Sequence, residues 1–119
     1  MTLTKNKVMK SYTDIEQSKR LAEILPLESA DTIWDLTNPD LPTIRAIPYE
    51  DSDYNNKYLN IIPAWSLATL YSVLPTFTLD SSDDKYFRIH CCNKFSEWYN
   101  NPVDACVAMI EKLHKQNLI

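Results

Sequence analysis

Glycine is absent from all 119 residues of this chain, where an average usage of about 7% would supply roughly eight. The absence excludes the loops that let a backbone approach phosphate closely: the Walker loop, the dinucleotide-binding glycine fingerprint and the kinase glycine-rich loop. It also puts any turn that needs positive φ on Asn or Asp, whose side chains tolerate it best. Long apolar runs are missing too. The N-terminal stretch carries Lys5, Lys7 and Lys10 without the apolar segment of a secretory signal. Nothing approaches the roughly 18 apolar residues of a membrane span, so no membrane partner is expected. Nor is there an excess of positive charge: 12 basic against 16 acidic residues leave a net charge of -4. The overall field therefore does not draw the chain to nucleic acid. Cysteine is sparse and odd in number, at Cys91, Cys92 and Cys106, a poor disulfide framework. Reduced thiols in a cytoplasm are expected. Strand neighbours point to opposite faces, so Cys91 and Cys92 are expected in different surroundings.

What is present fits one folded domain, with 45% hydrophobic and 24% charged residues. Residues 1–11 are polar and aperiodic and read as a flexible lead-in; residues 12–119 read as a single α+β domain. Thr13 and Glu16 have capping-box spacing ahead of Ile15, Leu21, Ile24 and Leu25, and Pro26 follows, which predicts a helix over 14–25. Short strands are expected at 32–36 and 43–47, with turn chemistry at 38–42. Pro39, Pro42 and Pro48 confine them to sheet edges. Tyr49 to Tyr58 is acidic and polar and reads as a surface loop. Pro63 suits a first helical position, and Leu67, Leu70, Tyr71 and Leu74 follow at helical spacing, which predicts a helix over 63–74.

The next stretch predicts an antiparallel three-stranded meander over about 76–99, with turns at Ser81–Asp84 and at Asn93–Lys94. In its middle strand Phe87, Ile89 and Cys91 share one face; Tyr86, Arg88, His90 and Cys92 share the other. The first set is expected inside. Asn101, Pro102 and Asp104 then open a helix over 102–116, with Val103, Cys106, Val107, Ile110 and Leu113 as its buried stripe. The fold class expected is α+β, with the helices at 14–25, 63–74 and 102–116 packed mainly on one face of the meander.

Three stretches resemble a known group of proteins: Thr13 to Leu21 running on to Ser29–Trp34, Ile62 to Leu67 with Leu74–Pro75, and Asn101 to Val107. Together they are similar to small uncharacterised proteins of gut Bacteroidales and of their phages and mobile elements. The resemblance implies a bacterial or phage origin, a bacterial host cytoplasm and a compact α+β fold. It brings no activity, cofactor or catalytic residue.

No assembled chemistry is legible, so a catalytic site, a metal and a cofactor are not expected. His90, Cys92, Cys106 and His114 could ligate a metal but match no zinc spacing. His90 and Cys92 share a face without a carboxylate placed to orient the imidazole. Glu50, Asp51, Asp53, Asp80, Asp83 and Asp84 lack the alternation of a calcium loop. The helix–strands–helix order of 63–116 resembles double-stranded RNA-binding domains in topology, yet Asn101–Asp104 stands where those domains place lysines. Aromatic residues are more informative: Trp34, Trp65, Trp98 and several tyrosines are generous for a domain this size, and serve either to seal a thin core against the first helix and the 27–62 segment or to form a recognition surface. Trp65, Tyr86, Arg88, His90 and Trp98 form the expected interaction surface. The expected function is that of a small non-enzymatic protein-interaction or accessory protein, with self-association as its concrete form. The alternative is a nucleic-acid-binding module built on 63–116.

Overall fold

The computed structural model describes residues 9–46 and 60–119. The polar stretch 49–58 and the first eight residues lie outside the described residues. The elements are α1 (Ile15–Ala22), a single 3-10 turn (Leu27–Ser29), β1 (Thr32–Asp35), β2 (Thr43–Ala46), β3 (Ile61–Ala64), α2 (Leu67–Val73), β4 (Phe77–Ser82), β5 (Tyr86–Cys91), β6 (Lys94–Phe95) and α3 (Pro102–Lys115). The fold is α+β, with two antiparallel three-stranded sheets ordered β2-β1-β3 and β4-β5-β6.

Helix α3 forms where the sequence expects it. Asn101 caps it by accepting from the Asp104 amide at 2.8 Å, and Pro102 takes the first turn. Its apolar face is wide: Val103, Ala105, Cys106, Val107, Met109, Ile110 and Leu113 are all fully or almost fully buried. Strand β5, α2 and α1 each pack against it. Ile89 and Cys91 of β5 lie inside, as the alternation predicts, and Phe87 is half-buried beside them.

Helix α1 starts one residue later than its sequence pattern indicates. Asp14, not Thr13, is the cap: Asp14 Oδ1 accepts from the Gln17 amide at 2.7 Å while the Asp14 amide donates to Gln17 Oε1 at 3.1 Å. Thr13 is thereby freed for another task. It is fully buried, its hydroxyl accepts from the Trp65 amide at 3.1 Å and meets Ser18 Oγ at 2.8 Å, and its amide donates to Trp65 O at 2.9 Å. The Trp34 indole donates to Thr13 O at 2.9 Å. Residues 11–13 thus extend the sheet along the chain that continues β3, with Tyr12 opposite Ser66.

The second helix differs most from expectation. Pro63 lies in β3, opposite Ile33, and α2 begins at Leu67 behind a Ser66 cap. The Leu36 amide donates to Asn60 O at 2.7 Å. Alternate residues 60, 62 and 64 therefore turn their backbone groups toward β1, and Pro63 turns its missing donor away. Proline is compatible with both a helix start and this strand position. The Asp31 carboxylate settles the choice by accepting from both the amide and the hydroxyl of Ser66, which anchors the true cap.

The lead-in is tied down at its inner end. Lys10 Nζ donates to Asp104 Oδ1 at 2.8 Å and to Asp14 Oδ2 at 3.0 Å. Gln17 Nε2 reaches the same Asp104 oxygen at 2.7 Å, and Asn101 Nδ2 the other at 2.8 Å. Burial by itself would raise the Asp104 carboxyl; Lys10, Asn101 and Gln17 reverse the sign and hold it below its ordinary value.

Two outcomes follow. A carboxylate whose folded pKa is depressed contributes stability above its unfolded pKa, and that stability is lost as pH falls below about 4. The stability difference between pH 7 and pH 3, measured by urea unfolding, is expected to shrink in Asp104→Asn. Thr13→Val leaves the Trp65 amide and the Ser18 hydroxyl without their partner and is expected to cost about 1–3 kcal/mol by the same measurement. Thr13→Ser, which keeps the hydroxyl, is expected to lose less.

Candidate functional site

The surface opposite α3 on the β4-β5-β6 sheet is built by two local devices. The first is the β5–β6 turn. Its central residues are Cys92 and Asn93, both at positive φ (55° and 62°), one residue earlier than the Asn93–Lys94 turn expected from sequence. Cys91 then pairs with Lys94 and His90 with Phe95, which brings Phe95 to the outer face beside His90. The second device is an inserted residue. The Ser96 amide donates to Ile89 O at 2.9 Å, and the Ile89 amide donates to Ser96 Oγ at 2.9 Å, so a hydroxyl stands in for a carbonyl. Farther along, Phe87 and Tyr99 exchange backbone bonds of 2.6 and 2.8 Å. A regular ladder continued from Ile89–Ser96 would set Phe87 opposite Trp98; the extra residue makes its partner Tyr99 and turns Trp98 to the outside beside Arg88.

The result is a layered cluster. The Arg88 guanidinium carbon sits 4.2 Å from the Phe95 ring centre and 4.6 Å from that of Trp98. His90 stacks on Phe95 at 4.2 Å with 10° between planes. Arg88 Nε donates to Asp80 Oδ2 at 3.0 Å, across the strand pair. Tyr86, Phe95 and Trp98 remain 51%, 43% and 43% exposed. Tyr86 also lines a cleft of about 560 Å³ with Lys10, Lys85 and Asn101. Lys112 Nζ donates to Phe95 O at 2.8 Å and so fixes the β6 edge to α3.

Four of the five expected surface residues, Tyr86, Arg88, His90 and Trp98, therefore lie together. Trp65 does not. It is fully buried, its indole donating to Ser29 Oγ at 3.0 Å, and it belongs to the core under α1 and α3. In sequence it stands at the start of the expected 63–74 helix, off the Leu67–Leu70–Tyr71–Leu74 stripe, and the segments that cover it are distant along the chain. Phe95 is the residue that sequence reasoning missed. A turn placed one residue earlier would have revealed it.

The other candidate chemistry stays dispersed. Among the described residues no group of three or more His, Cys, Asp and Glu side chains could hold a metal ion. Burial pushes the Cys106 thiol up to about 12 and, with its neighbour Cys92, the Cys91 thiol up to about 11, so both are protonated at neutral pH. Asp83 and Asp84 occupy the left-handed turn between β4 and β5, at φ 54° and 57°. Glu50, Asp51 and Asp53 lie outside the described residues. Cys91 and Cys92 do not face apart as alternation predicts: the left-handed backbone at Cys92 brings the two sulfurs to 3.6 Å.

Ser96→Ala is expected to leave the buried Ile89 amide unsatisfied and cost about 1–3 kcal/mol in urea unfolding. Arg88→Ala, on the exposed side of the same sheet, is expected to cost about 1 kcal/mol or less. No protein family, curated protein or solved structure matches the chain, so the reading of this surface rests on its own geometry.

Proposed function

We propose that this chain is a small binding protein that works through the Tyr86–Arg88–His90–Phe95–Trp98 face, and that its occupant is a second copy of the same face. The observation that carries the reading is the exposed Arg–aromatic layer, since Trp, Tyr and Arg anchor protein interfaces far more often than their surface share explains. An isologous contact needs a self-complementary surface. The face has that character: Tyr86, Phe95 and Trp98 stay exposed around the Asp80–Arg88 ion pair, so each copy presents flat rings and one charge of each sign. No described helix is long and apolar enough to cross a membrane. The three free thiols support a reducing cytoplasm. The resemblance to small proteins of gut Bacteroidales and their phages supports an accessory role in such a host.

Light scattering on size-exclusion fractions tests this reading. The wild type is expected to run as a dimer at micromolar concentration, and Trp98→Ala to run as a folded monomer. A wild-type monomer at high concentration overturns it. The same Arg–aromatic layer on an antiparallel sheet favours one other reading, a stacking platform for unpaired bases. Tight binding of single-stranded RNA by a monomer, lost in Trp98→Ala, would select that reading instead.

A further inference from the structure

Five residues in the described chain adopt positive φ: Asp83, Asp84, Cys92, Asn93 and Asn117. In a protein without glycine, Asn and Asp are the expected occupants. Cys92 is the exception. Its left-handed backbone is also what rotates its thiol back toward Cys91. Without it the two side chains would stand on opposite faces of the strand. The sulfurs lie 3.6 Å apart, and Cys91 Sγ is steered by a weak hydrogen bond to Pro75 O at 3.8 Å. Cys91 is 2% exposed and Cys92 is open to solvent. Both line a cleft of about 270 Å³ with Thr78 and His90.

We propose that Cys91 and Cys92 form a two-sulfur site for a thiophilic three-coordinate centre, with trivalent organic arsenicals as the ligand class. Sulfurs 3.6 Å apart can both reach one centre at about 2.3 Å, the length of a zinc–thiolate bond, and they then subtend roughly 100° at it. No third protein ligand joins them among the described residues. That suits a centre that brings its own carbon substituent and not zinc, which takes four ligands. A direct bond between the two sulfurs fits less well. Adjacent Cα atoms across a trans peptide are about 3.8 Å apart, short of the roughly 4.4–6.8 Å that disulfides span. The reaction needs no oxidant. An aryl arsenoxide exchanges its oxygen for two As–S bonds, both S–H bonds break, and the two protons leave with the oxygen as water. Arsenic stays trivalent and neither sulfur is oxidised.

The test uses phenylarsine oxide, the full chain and a phosphine reductant, read by intact mass. One adduct per chain is expected. It is expected to resist excess glutathione and to be removed by a small dithiol, because the second thiol acts at high effective concentration. The decisive variant is Cys92→Asn, which places a residue suited to positive φ in the turn and is expected to fold at least as stably as the wild type. Its adduct is expected to be lost to glutathione about tenfold faster or more. No adduct on the wild type, or an adduct that glutathione removes equally fast from both proteins, overturns the proposal.

Discussion

Helix α3 is the constraint on which the rest depends. Val103, Val107, Met109, Ile110 and Leu113 alone remove five side chains from water, each worth about 1.5–3 kcal/mol if fully transferred. More important than the sum is its geometry. The helix is buried on a broad arc, so β5, α2 and α1 all dock on one object. The outer face of the meander is defined by difference: it is the side of β5 that α3 does not cover.

The polar contacts then decide how the chain is threaded around that helix. Lys10, Gln17 and Asn101 converge on Asp104 at the head of α3. Thr13 and Asp31 converge on Trp65 and Ser66. Each set joins residues far apart in sequence, and each satisfies donors that would otherwise be stranded at a helix start or a strand end. These contacts hold residues 9–13 in place and bury Trp65 beneath them.

The candidate surface depends on smaller shifts. One residue in the position of the β5–β6 turn decides whether Phe95 joins His90. One inserted residue near Ser96 decides whether Trp98 stands outside beside Arg88 or inside beside Phe87. A sheet has a side-chain period of two, so a one-residue change reverses every face that follows it. The turn at Cys92–Asn93 does both jobs, setting the register of the outer face and bringing the two thiols together.

The sequence alone determined the α+β class, the meander, the inner and outer faces of β5 and the whole of α3, because those follow from apolar periodicity and local caps acting within a few residues. It also determined that Asn and Asp carry most of the left-handed turns. Tertiary structure decided the fate of Pro63, Trp65 and Thr13, and the addition of Phe95 to the Arg–aromatic layer. Pro63 suits a helix start and an outward strand position equally well. Burial of a tryptophan, likewise, is settled by segments distant along the chain. Those choices depend on long-range hydrogen bonds and on register, and neither is written in the spacing of neighbouring residues.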